Sequence, residues 1–67
     1  MYRDSTILCS ADFDETEHAW HLTVAIAWQV AGHLHWHTLM PPKSFETEEE
    51  AVAEGFRLGE LWVDGRL

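Results

Sequence analysis

Three histidines, His33, His35 and His37, alternate with Leu34 and Trp36, so a β-strand here projects all three imidazoles from one face. Alternate imidazoles on a strand can chelate zinc at Zn–N distances of about 2.0–2.1 Å, and His21 offers a fourth further along the chain. The same pattern describes a solvated polar face, which the spacing favours over a metal site because the neighbouring strand supplies no evident further ligand. It also describes an interface that loosens on acidification, because histidine changes charge near pH 6.5.

Cys9 is the single cysteine. A thiolate beside a histidine is a nucleophile, but Cys9 falls in an apolar alternating set, where cysteine behaves as a small, inert hydrophobe. One cysteine forms no intramolecular disulfide, which points to a reducing, cytoplasmic setting. Carboxylates run through Asp12, Asp14, Glu15 and Glu17 and again through Glu46 and Glu48 to Glu50. Paired carboxylates can do acid–base work, yet a turn and the first turn of a helix account for both runs. Gly32, Gly55, Gly59 and Gly65 stand apart from one another, so the chain has no glycine-rich phosphate loop. The expectation is a protein without catalytic residues and without a cofactor.

Charge narrows the partners. Four Lys and Arg against twelve Asp and Glu give a formal net charge of −8, which repels phosphate backbones and suits a basic protein partner. No apolar run approaches the roughly 18 residues of a membrane span, and the opening Met1-Tyr2-Arg3-Asp4-Ser5 has neither the basic leader nor the apolar core of a signal peptide. Nucleic acid and membrane are therefore not expected partners. At 67 residues the core is small, with about 60% of the unfolded surface buried. Its bulk must come from four Trp and three Phe.

The elements that must position these residues are legible from periodicity. Trp20, Leu22, Val24, Ile26, Trp28 and Val30 alternate with His21, Thr23, Ala25, Ala27 and Gln29, the period of two of a sheet strand. Leu34, Trp36 and Thr38 continue the alternation after Ala31-Gly32, which predicts a hairpin. A three-residue loop with Gly32 in the left-handed position sets Gln29 opposite His33, Trp28 opposite Leu34 and Ile26 opposite Trp36. His35 then lies opposite Ala27 and His37 opposite Ala25, on a face shared with His21, with no further ligand from the neighbouring strand. Upstream, Ile7, Cys9, Ala11 and Phe13 alternate with Thr6, Leu8, Ser10 and Asp12, and Asp14 to His18 connects this strand to the next. Short connections make the three strands an antiparallel meander.

Beyond Pro41-Pro42, Thr47-Glu48-Glu49-Glu50 has the form of a capping box, and Asp64-Gly65 that of a helix stop. A helix over 48–63 follows. Ala51, Gly55 and Gly59 recur every fourth residue, leaving a flat stripe beside Val52, Phe56, Trp62 and Val63. Two helical glycines at about 1 kcal/mol each relative to alanine imply a packing reason. The sequence suggests Trp28 or Trp36 against this groove, flanked by Phe56 and Trp62.

An aromatic hairpin, a loop and then Phe45-Glu46-Thr47-Glu48-Glu49-Glu50-Ala51 resembles short bacterial βββα domains. It is also similar to the HicB-like antitoxins, whose sheet leads into a helix opening with a Thr-x-Glu-Glu-Ala signal. The likeness spans residues 18 to 63. It implies an acidic, partial ribonuclease-H-like domain that binds a basic toxin. The chain departs from that family in lacking a DNA-binding segment and in carrying Met40-Pro41-Pro42-Lys43-Ser44 where the family has a glycine-rich run. No catalytic residue is transferred by the resemblance.

The sequence thus specifies one α+β domain over 1–67, a three-stranded antiparallel meander with a C-terminal helix on one face (βββα). The leading expectation of function is a small non-enzymatic interaction module, homodimeric or bound to another protein. Its interface candidates are Ala25, Ala27, His35, His37, Leu58 and Leu61. The alternatives are an antitoxin-like binder of a basic protein and a zinc protein built on His33, His35, His37 and His21.

Overall fold

The computed structural model describes residues 2–65. Strand β2 (Ala19–Val30) runs through the middle of the sheet, with β1 (Ser5–Asp14) on one side. On its other side lie β3 (His33–Leu39) and a two-residue strand β4 (Ser44–Phe45). All pairings are antiparallel, and helix α1 (Glu48–Val63) crosses one face. The α+β meander with a C-terminal helix is the architecture read from the sequence. The short β4, which pairs Phe45 with Trp20, is an addition too brief to leave a periodic signature.

Alternation along β2 decides the layers. Leu22, Val24 and Ile26 face the helix and, with Phe45 and Ala51, form the buried cluster, while His21, Thr23, Ala25, Ala27 and Gln29 face away. Strand β1 is in register with it: Ile7 lies opposite Ile26, Cys9 opposite Val24 and Ala11 opposite Leu22. Those three side chains pack against the buried cluster.

The β2–β3 hairpin departs from expectation by one residue. Val30 pairs with His33, so the loop is the two residues Ala31 and Gly32, with φ of +51° and +81°. Two successive positive φ angles define a type I′ turn, whose twist matches that of the flanking strands. Trp28 therefore lies opposite His35, Ile26 opposite His37 and Ala27 opposite Trp36. The period of two converts this slip into an exchange of faces. His33, His35 and His37 lie on the helix side of the sheet, while Leu34, Trp36 and Thr38 lie on the open side with Ala25 and Ala27.

Helix α1 begins as its capping residues dictate. Thr47 has extended backbone, and its hydroxyl oxygen accepts from the Glu50 N–H at 3.1 Å. At the other end Gly65 has φ +76° and its N–H donates to the Trp62 carbonyl at 3.0 Å, closing the last turn. Ala51, Gly55 and Gly59 form the buried stripe, but the groove holds neither Trp28 nor Trp36. A Cβ on Gly55 would lie 2.7 Å from Cys9 Sγ and 2.9 Å from Leu22 Cδ1, and one on Gly59 would lie 2.6 Å from Ile7 Cγ2. The glycines thus admit β1, bringing the helix over β1, β2 and β4 and leaving β3 without a close backbone neighbour on that side. Of the flanking rings expected there, Phe56 is exposed and Trp62 packs against Trp28, with ring centroids 5.2 Å apart.

The start of the described chain is fastened to the helix end. Tyr2 and Ser5 exchange backbone hydrogen bonds of 2.7 and 2.9 Å around Arg3 and Asp4, both with positive φ. This places the Tyr2 hydroxyl to donate to Asp64 Oδ2 at 2.8 Å and Arg3 Nε 3.0 Å from Asp64 Oδ1. The last helical turn has no basic residue of its own. Arg3 supplies the cation that the negative end of the helix dipole favours.

Candidate interaction surface

Strand β3 is an edge strand that the helix backbone does not cover, although Leu39 packs against the buried cluster. On the helix side its histidines lie beyond the reach of the helix backbone, and two are engaged by indoles. The His35 ring stacks on Trp28 with centroids 5.9 Å apart, and His37 on Trp62 at 4.8 Å with planes 12° apart. These contacts orient the imidazoles along an aromatic row rather than toward a common point. His21 lies on the opposite face, which corrects the expectation that it shares a face with His33, His35 and His37.

On the open side, Trp36 is 74% exposed and Leu34 62% exposed. Beside them the sheet is shallow, because their neighbours on β2 are small. Ala27 lies between Trp36 and Thr6, and Ala25 lies between Thr38 and the exposed Leu8. An apolar strip thus crosses three strands. Of the six interface candidates, Ala25 and Ala27 belong to it, whereas His35 and His37 are on the other face. Leu58 packs against the buried cluster and lines an apolar hollow with Leu39, Met40 and Pro41. Leu61 is half-buried. Trp36 and Leu34 are the functional candidates that the sequence reading missed, because the assumed loop length turned them inward.

Charge is divided as sharply as polarity. Every carboxylate lies either in residues 4–17 or in residues 46–64, and none occurs between His18 and Phe45. The two strands of the hairpin therefore contribute no carboxylate on a chain of net charge −8, and those of β1 and its turn approach β2 only at its far end, beside Ala19 and His21. All five histidines fall within that segment.

Among the described residues, one group of side chains gathers three potential metal-ligating atoms within 4.8 Å of one another: Asp14, Glu17 and His21. His21 Nε2 lies 3.3 Å from Asp14 Oδ2 and 3.4 Å from Glu17 Oε2. Nitrogen and two carboxylate oxygens suit a divalent cation such as zinc in donor type. Asp14 already has a structural task, however, since its Oδ1 accepts from the Thr16 and Glu17 backbone N–H groups at 2.8 and 3.3 Å. The Glu17 and Thr16 N–H groups, aided by His21, hold the Asp14 carboxyl below its ordinary range. The arrangement closes the β1–β2 turn.

Cys9 is half-buried beneath Gly55, and burial pushes its thiol above the ordinary cysteine value. That direction opposes thiolate chemistry. No helix is long and apolar enough to cross a membrane among the described residues. Comparison with protein-family models, curated proteins and solved structures gives no match.

Proposed function

We propose that this chain is a non-enzymatic protein-interaction module that works by self-association through the β2–β3 hairpin. The observation that carries the reading is the exposure of Trp36 and Leu34 on an edge strand. Large aromatic side chains are enriched at the centres of interfaces, where excluding water from them yields most of the binding energy. The absence of carboxylates in the hairpin supports a second copy as partner, because it is the surface on which two acidic chains meet with least repulsion. Light scattering over a concentration series tests it. Wild type should approach twice its 7.7 kDa mass, and Trp36→Glu should remain at 7.7 kDa. A wild-type mass of 7.7 kDa throughout the micromolar range refutes the reading.

The charge division favours a second role alongside the first. With no carboxylate on β3 or on the part of β2 that pairs with it, the helix start at Glu48, Glu49 and Glu50 offers a separate acidic surface, and the HicB-like resemblance is consistent with a basic partner there. This reading requires binding to a lysine-rich polypeptide that weakens with salt and with Glu48, Glu49 and Glu50 replaced by Gln, but is indifferent to Trp36→Glu. Equal loss on either set of substitutions would remove it.

A further inference from the structure

Resting on the self-association reading, we propose that a second copy of this chain pairs antiparallel with β3 along its free edge. Trp36 lies on the two-fold axis, and the two sheets become one. A two-residue hairpin closes on a hydrogen-bonded pair, here Val30 and His33, so His33, His35, His37 and Leu39 turn their backbone groups toward β2. Leu34, Trp36 and Thr38 consequently direct their N–H and C=O groups outward, where β3 has no strand partner among the described residues. With Trp36 on the axis, Trp36 meets its own copy and Leu34 meets the partner's Thr38. All three outward positions are then used in both chains, about six backbone hydrogen bonds in all.

Side chains and charge fit the same pairing. The two Trp36 indoles become cross-strand neighbours on the open face, an arrangement in which aromatic pairs stabilise a sheet. His35 comes opposite the partner's His37 on the other face, so no carboxylate enters the junction. The features that normally protect an edge strand, an inserted lysine, a proline or a bulge, are missing over His33–Leu39, and Pro41-Pro42 follows only after the strand has ended. The other free edge, β1, carries Asp12 and Asp14 and begins beside Asp4, which would set like charges together.

Thr38→Pro distinguishes edge pairing from packing of the open faces. It removes an outward N–H and leaves the bonds to β2 and the exposed Trp36 and Leu34 in place. Two backbone hydrogen bonds are lost per dimer, so association should weaken about thirtyfold or more, with circular dichroism unchanged. If the folded variant associates as wild type does, edge pairing is wrong while self-association stands. If wild type itself does not associate, both fail. Should the variant not fold, amide hydrogen exchange on wild type decides the matter. Protection of the Leu34, Trp36 and Thr38 amides that grows with protein concentration supports the pairing, and fast exchange of these three in the associated state overturns it.

Discussion

A methyl group is the unit on which the helix–sheet contact turns. At Gly59 it would meet Ile7 Cγ2 at 2.6 Å, closer than side-chain carbon atoms approach, and Ile7 is held by its own strand. Alanine favours a helix by about 1 kcal/mol over glycine, but overpacking a fitted contact costs about 1–3 kcal/mol. Gly59→Ala should therefore lower the urea midpoint, and a raised midpoint would show that the helix can ride outward freely. Asp14 yields a second residue-scale expectation. Its carboxyl is held low chiefly by the backbone N–H groups of Glu17 and Thr16. The stabilisation is complete above the unfolded-state value and disappears as pH falls through the lower folded-state value. Asp14→Asn should thus be less stable than wild type near neutrality, with the difference shrinking below about pH 4. A gap that is constant from pH 7 to pH 2 would mean that the carboxylate's charge has no part in closing the turn.

At the scale of the element, the helix is the most locally specified part of the chain. Thr47 satisfies the Glu50 N–H at one end and Gly65 closes the other. Thr47→Ala should cost about 1 kcal/mol, read as a lower thermal midpoint that Thr47→Asp largely restores. Both helix boundaries were legible because caps are local chemistry. The strands were legible for a similar reason, since alternation in Ile7 to Phe13 and Trp20 to Val30 reflects one buried face. The hairpin turn was not. Gly32 satisfies the left-handed position of either a two- or a three-residue loop, and the two-residue form also needs Ala31 at positive φ, a conformation in which an alanine side chain crowds the following carbonyl. Nothing in the identity of Ala31 announces it. The faces of β3, and with them the candidate surface, depended on that one conformational choice. The occupant of the glycine groove was equally hidden, because a flat helical stripe accepts Ile7 and Cys9 as readily as an indole.

For the whole molecule, the helix and the charges divide the surface between them. The helix covers β1, β2 and β4, and the carboxylates flank the hairpin in sequence, so β3 is left with an open outer edge and without acid groups. Its apolar side chains therefore carry the association proposed above, and substitutions at Trp36 or Thr38 should alter assembly with little effect on the fold of the single chain. Solution mass and circular dichroism, measured together, separate those effects. The Ala31-Gly32 turn has one further consequence. Because strand residues alternate sides, the surface that β3 presents depends on whether the number of loop residues is even or odd. Were Val30 to join the loop, Gln29 would pair with His33, and the imidazoles would turn to the open side and the indole of Trp36 toward the helix without altering a single amino acid of the chain. Loop parity thus acts as a selector between an imidazole-lined open face and an apolar one, and a loop that draws in one residue from β2 would redirect recognition more thoroughly than most substitutions within β3.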